Sequence, residues 1–460
     1  MLRSLAVFLL TLRVLAAQNT LPDADQKLAR QICQEMVESR TGYTTGSTTP
    51  LVEALAARFK AAGFPAADIF VGGAAPKKAN LVVRYRGSGT RKPILLLAHL
   101  DVVEALREDW TMDPFVFSEK DGYFYGRGTA DDKAQASIWV ANLIKFKREG
   151  FRPSRDIIVA LTADEEGGGP FNGVDWLLKN HRELIDAEFA LNEGARGMLI
   201  NGKRVSNEIG LAEKGFSNFR FEVRNKGGHS ARPVPDNAIY HLAAALSRLA
   251  THSFPMELTD VTRVYFRQLA KVETGQLAID LAQLAEGNQA AMEKIAATSA
   301  PLNAMLRTTC VATLLEGGHA ENALPQLAAA NINCRILPTD TIANVLSVLK
   351  QVAGDKVTVT VTKDEGSSPA SPLRPDVLKA FERLTDIMWP GVIAVPSMAV
   401  GGSDSRYLRV LGIPSYGAQG LFIDRDDVRA HGRDERMLVR SYYEGQKFLY
   451  ELVKSLSSEQ

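Results

Sequence analysis

Residues 156–169 read DIIVALTADEEGGG. The unbroken apolar run at its start, free of polar alternation, is the pattern of a strand buried on both faces. It ends in three acids, Asp164, Glu165 and Glu166, followed by three glycines. Neighbouring carboxylates repel and raise one another's pKa, so their placement behind a buried strand needs a reason. PILLLAHLDVV (93–103) is another near-continuous apolar run, and AEFALNEG (187–194) reads as a further strand. Between these runs lie helical patterns. In DDKAQASIWVANLIKFKREG (131–150), Ala134, Ile138, Ala141 and Phe146 recur at roughly helical spacing and Gly150 stops the run. GVDWLLKNH (173–181) reads as a short helix. Strands alternating with helices imply parallel pairing in an α/β domain. In such sheets the chemistry collects at the carboxyl ends of the strands.

The pattern changes near Lys214. GFSNFRFEVRNKGG (215–228) sets Phe219, Phe221 and Val223 against polar neighbours, as a half-exposed antiparallel strand does. A helix follows in NAIYHLAAALSRLA (237–250), then a mostly helical stretch at about 256–306. Strand patterns return in RTTCVATLLEGG (307–318) and QLAAANINCRILP (326–338). Doubly buried patterns resume with GVIAVPSMAVGG (391–402) and GIPSYGAQG (412–420), and MLVRSYYEGQKFLYELVKSL (437–456) reads as a terminal helix. The expectation is an α/β catalytic domain over 18–213 and 356–460, interrupted by an inserted α+β domain at 214–355.

A chain of 460 residues exceeds one ordinary core. A net charge of +1 and the absence of a basic stripe argue against nucleic acid as a partner. Three cysteines, Cys33, Cys310 and Cys334, are too few for a disulfide scaffold or a thiolate metal site. Cys310 and Cys334 fall on strands that could be neighbours, and the expectation is two buried thiols. At the start, MLRSLAVFLLTLRVLAAQ has Arg3, an apolar stretch and small residues at Ala16 and Ala17, the layout of a secretory signal. Residues 1–17 are therefore expected to be a signal peptide and the mature chain to be exported, to a periplasm or the exterior. That stretch is too short to span a bilayer. No later segment is long and apolar enough, so no stable membrane insertion is expected after processing.

His99 and Asp101 share one side of a strand, a spacing that lets a carboxylate hold one imidazole nitrogen and free the other. Asp131, at a helix start, could be an ordinary N-cap. With Glu165, Glu166 and Glu193, however, it places acids at three topological positions on one sheet edge. Beside His99 they crowd negative charge that only cations would neutralise. Imidazole and carboxylate without thiolate favour zinc or a similar first-row ion. The five candidate ligands exceed the needs of one catalytic zinc, and two ions sharing a carboxylate would use them. Adjacent residues at a strand end point in different directions, so Glu166 can bind metal while Glu165 serves as general base. The glycines let the backbone turn tightly.

AHLDVV, GRGTADDK, TADEEGG, NEG and GGHSARP resemble the zinc-dependent family of aminoacylase, acetylornithine deacetylase, succinyl-diaminopimelate desuccinylase, glutamate carboxypeptidase and carnosine dipeptidase. The likeness runs in order from about residue 30 to the C-terminus. It implies a three-layer catalytic domain and an inserted lid and dimerisation domain. It implies two zinc ions, with cobalt or manganese as substitutes, and His99 and Glu193 as terminal ligands on different metals. Asp131 would bridge, and Glu166 and His431 would complete the set. Asp101 would orient His99, and Glu165 would shuttle the proton. His229 would polarise the scissile carbonyl, in many members across a homodimer interface. Arg335 would clamp a free α-carboxylate, a task suited to a planar guanidinium. Asn322 would lie near the substrate. Gly402 and Ser403, read as a helix start, offer backbone amides for a carboxylate. The implied substrates are small peptides or N-acyl amino acids. A non-catalytic protein on this fold would lack a ligand or the base, and all six positions hold the expected residue types. No Gly-x-Ser-x-Gly nucleophile motif is present.

Overall fold

The three acid-ended strands lie side by side in one sheet. Ile94–His99 and Ile157–Thr162 are buried at every position, as their unbroken apolar runs require. They pair in parallel with His99 opposite Thr162, and Ile94–His99 also pairs in parallel with Phe189–Asn192. The structure, a computed structural model, describes residues 19–167 and 169–459. The expected signal peptide, residues 1–17, and Gly168 lie outside the described residues.

The chain divides into two compact units. The first comprises residues up to Leu211, Ser371–Pro396 and Ser403 onward. Its sheet runs Ile69–Gly73, Ala79–Tyr85, Ile157–Thr162, Ile94–His99, Phe189–Asn192, Ser415–Gly417, Lys203–Glu213, Gly197–Ile200, Phe422–Asp424. The His99 strand thus sits between the two strands that lead to Glu165–Glu166 and to Glu193. Below the site, Val82, Leu95, Leu97, Ile158, Ala160, Val174 and Leu177 form a buried cluster. The helix Lys133–Arg148 is buried from Lys133 to Phe146, and Trp139 Nε1 donates to the Leu97 carbonyl at 3.1 Å. A separate three-stranded sheet joins Arg436–Leu438, Tyr123–Tyr125 and Ser118–Lys120.

The second unit comprises Ala212–Ala370 and Ser397–Gly402. Its antiparallel sheet has the order Thr309–Gly317, Leu327–Ile336, Gly215–Arg224, Thr358–Asp364. Phe219, Phe221, Ile332, Leu242, Leu249, Val345 and Leu349 share its core with residues of the helices Ala238–Thr251 and Ile342–Ala353. Here the domain boundary expected at 355 needs correction. Thr358–Asp364 pairs with Gly215–Arg224, which keeps the chain in the second unit to Ala370. The stretch read as mostly helical holds Asp260–Val272, Gly275–Ala285, Gln289–Thr298 and Ala300–Leu306.

The expectation of two thiols at Cys310 and Cys334 is also corrected. The two residues stand directly opposite on adjacent antiparallel strands and form a disulfide. Cross-strand register, which cysteine spacing alone does not reveal, brings them together. Cys33 is free and buried.

Candidate metal centre

Two groups of side chains can each hold a metal ion, and they share one carboxylate. His99, Asp131 and Glu193 offer ligand atoms within 4.8 Å of one another, and so do Asp131, Glu166 and His431. His99 and Glu193 therefore fall in one group, not on different metals as the resemblance implied. Glu193 ends the strand beside His99, whereas Glu166 lies beyond the strand on the other side.

His99 is 2% exposed. Its Nδ1–H donates to the backbone carbonyl of Asp101 at 2.9 Å. Its Nε2 then faces Asp131 Oδ1 at 3.1 Å, one lone pair towards another. A proton or a metal cation must lie between them. The Asp101 carboxylate is 3.8 Å from His99 and does something other than the orienting expected of it. Its two oxygens accept the amide N–H groups of Glu165, at 3.1 Å, and Glu166, at 3.0 Å. Asp101 thus holds the imidazole through its carbonyl and the paired glutamates through its carboxylate.

The turn beyond that strand is held from several sides. Asp164 has a positive φ of 65° and pairs with Lys78 Nζ at 2.5 Å. A side chain at Gly167 would come within 2.8 Å of the Asp164 carboxylate, which would have to shift. Asp404, buried, accepts from Thr162 Oγ1 at 3.2 Å and Asn172 Nδ2 at 2.6 Å. His431 approaches from the C-terminal segment, with its Nε2 2.9 Å from Glu166 Oε1 and 3.4 Å from Asp131 Oδ2. Its φ of 62° is an unusual conformation for a residue with a side chain. Glu166 Oε1 is buried and faces that ring nitrogen.

The electrostatics fit a cation site. Burial and the surrounding carboxylates push Glu165 and Glu193 well above the ordinary carboxylate range. Burial alone would lower His99, but its contact with Asp131 and the charges of Glu165, Asp101 and Glu193 hold it well above its ordinary value. Asp131 and Glu166 raise His431 to about 10. Both signs express one demand, that positive charge be brought in. Arg196 brings some, 3.7 Å from Asp131 Oδ2. The donor set of imidazole nitrogen and carboxylate oxygen and the facing lone pairs of His99 and Asp131 suit divalent first-row ions.

The sequence profile of peptidase family M20/M25/M40 matches residues 95–455. The chain belongs to this family. It is 30% identical over 381 residues to the N-fatty-acyl-amino acid synthase/hydrolase PM20D1 of Homo sapiens, covering 80% of this chain and 75% of that one. It is 29% identical over 389 residues to the probable carboxypeptidase S-like 2 of Dictyostelium discoideum, covering 82% and 74%. Its fold is similar to that of an M20 family metallo-carboxypeptidase, Sso-CP2 of Sulfolobus solfataricus. There the TM-score is 0.71 at 18% identity, covering 93% of this chain and 99% of that one. The protein is thus a hydrolase of the M20/M25/M40 family with a mixed α/β fold.

Of the other candidate residues of this M20/M25/M40 chain, His229, Asn322, Arg335 and Gly402 lie in its second unit and Ser403 in its first. His229 pairs with Ala323 across a two-stranded ladder, and the Ser230 amide donates to the Asn322 carbonyl at 3.0 Å, which brings His229 and Asn322 together. His229 Nδ1 accepts the Ala231 amide at 3.0 Å. In the neutral ring the proton therefore sits on Nε2, which makes that nitrogen a donor. Arg335 lies opposite Phe216 with its guanidinium 4.8 Å from the ring centroid. Gly402 closes the second unit. The helix read as starting at Gly402 and Ser403 begins instead at Ser405, and Ser403 Oγ accepts the Ser405 amide at 3.2 Å. Sequence reasoning passed over Lys78, Arg196, Asp404, Arg127 and Glu435. Only Glu435 had a signal, an acid four residues after a candidate ligand histidine.

Proposed function

We propose that the chain is a two-zinc hydrolase, tolerant of cobalt or manganese, that cleaves an amide bond and releases an amino acid with a free α-carboxylate. Carboxypeptidase or dipeptidase action is the first reading. Hydrolysis of N-acyl amino acids is the second, supported by the similarity to an N-fatty-acyl-amino acid synthase/hydrolase. The observation that carries the proposal is the pair of ligand groups meeting at Asp131.

Bound ions would supply an acidified water and an electrophile for the carbonyl oxygen. Glu165 takes the proton of that water and delivers it to the departing amine. His229, donor at Nε2, polarises the carbonyl. Arg335, its guanidinium over the Phe216 ring, clamps the α-carboxylate, with Asn322 and the Gly402–Ser403 amides as further contacts.

The second unit also supports a homodimer. Thr309–Gly317 is an edge strand whose Val311, Leu314 and Leu315 are exposed, as are Ile239 and Tyr240. A long apolar edge of this kind invites pairing with a second copy. The Cys310–Cys334 disulfide supports export, since such bonds persist in oxidising compartments. Among the described residues no helix is long and apolar enough to cross a membrane.

The test is release of free amino acid from a panel of dipeptides and N-acyl amino acids, with added zinc and again after chelation. Chelator-sensitive release is the expected result, and the substrates cleaved choose between the two readings. No release from a chain shown to hold two ions would refute the proposal in favour of a non-catalytic role.

A further inference from the structure

Four residues after His431 the chain places a carboxylate with no exposure, Glu435. Its oxygens collect four donors: Arg127 Nη1 at 2.6 Å and the amides of Gly128 at 3.1 Å, Ala130 at 2.7 Å and Asp131 at 3.1 Å. Its own carbonyl accepts the Gly126 amide at 3.1 Å. This extends the ladder in which Arg436–Leu438 pairs with Tyr123–Tyr125. Arg127 in turn donates from Nη2 to the His431 carbonyl at 3.3 Å, and its guanidinium lies 5.1 Å from the Trp110 ring centroid. One buried ion pair therefore grips the loop that ends in Asp131 and the backbone of His431.

We infer that Glu435 and Arg127 are positioning residues that fix Asp131, the carboxylate common to both ligand groups, against His431. This rests on the two-metal reading of the site. Three amides in one loop aim at one carboxylate, so the loop has a single conformation only while that carboxylate is present. Outer groups of this kind orient the ligands themselves, and their loss costs about 10–100-fold in metal affinity. Glu435→Gln keeps one oxygen for the amides but turns an NH2 towards Arg127. Arg127→Lys keeps the charge but loses the fork that reaches His431.

The experiment is titration of the metal-free full chain with Co2+ alone, reading stoichiometry by equilibrium dialysis and ligand geometry by the visible d–d spectrum. Wild type should bind two ions. Glu435→Gln, with circular dichroism like wild type, should bind about 10–100-fold more weakly with an altered spectrum. Arg127→Lys should show the same change to a smaller degree, and it decides the matter if Glu435→Gln does not fold. Folded variants with wild-type affinity and spectrum overturn the positioning role alone. A wild-type chain that binds fewer than two ions overturns the two-metal reading and this inference with it.

Discussion

Asp101→Asn separates two accounts of the same residue. If the carboxylate serves to orient His99, as the His-x-Asp spacing suggests, its amide should disturb the imidazole. In the structure the imidazole is held by the Asp101 carbonyl, which the substitution leaves in place, and the carboxylate is spent on the Glu165 and Glu166 amides. Asparagine can still accept one of these amides but presents an NH2 to the other. The lost bond, made to a buried charged acceptor, is worth about 1.5–3 kcal/mol, and a stranded amide adds about 1 kcal/mol or more. Lys78–Asp164 and the Asp404–Asn172 contact still tether the turn, so the lower end applies. That lower end, about 2.5 kcal/mol, corresponds to roughly a 70-fold fall in kcat/KM.

The assay pairs that rate with nitrogen-15 spectra of histidine-labelled protein, where His99 is one of seven histidines and is assigned by its own substitution. The expected result is a lowered rate with the His99 tautomer unchanged, its proton on Nδ1. A switched His99 tautomer, or a rate within about threefold of wild type, would refute the reasoning.

Glu165→Gln should lower kcat by about 10²–10⁴-fold with metal content unchanged; loss of metal would make Glu165 a ligand instead of the base. Thiol counting should find no reactive cysteine in the native chain, one after denaturation and three after reduction. Burial pushes the Cys33 thiol up to about 12, and Cys310 and Cys334 are joined; three thiols before reduction would remove the disulfide and its support for export. Lys214 is buried, donates to the Ala304 and Arg307 carbonyls and Thr309 Oγ1, and is pushed down to about 7 by burial and by the Arg335 charge. Between about pH 7 and the unfolded value near 10.5, unfolding then takes up a proton, so stability rises with pH across that window and not below it. Denaturant unfolding of wild type and Lys214→Met should diverge by up to about 4 kcal/mol over this range; parallel curves would show that Lys214 stays charged in the fold.

The parallel sheet and its ligands were readable because their signals are local. An apolar run ending in an acid says both that the strand is buried on both faces and that its carboxyl end does chemistry. Glu165, Glu166 and Glu193 carried that signal, and His99 ends a similar apolar run. What was not readable depends on register or on distant segments. Thr358–Asp364 reads as polar alternation of no fixed address, and only pairing with Gly215–Arg224 assigns it to the second unit. Cys310 and Cys334 meet because two strands align residue for residue. The role of the Asp101 carboxylate was misjudged because a side-chain spacing cannot reveal that backbone amides 64 and 65 residues along the chain will claim its oxygens.

Asp101 and Glu435 apply the same solution at two ends of one site. A tether that bonded to the carboxylate of Glu166 or Asp131 would occupy lone pairs that a metal needs. Gripping the backbone amides of these residues fixes their Cα positions and leaves the side-chain oxygens open. Glu166 shows the consequence: its amide is held by Asp101 while its buried Oε1 stays free to face His431 Nε2 at 2.9 Å. The Asp101 carboxylate also adds negative charge behind the ligands, part of what holds His99 above its ordinary value, whereas the charge of Glu435 is matched by Arg127. A site built this way keeps its ligands in place before any ion arrives, so binding does not have to order the loops as well.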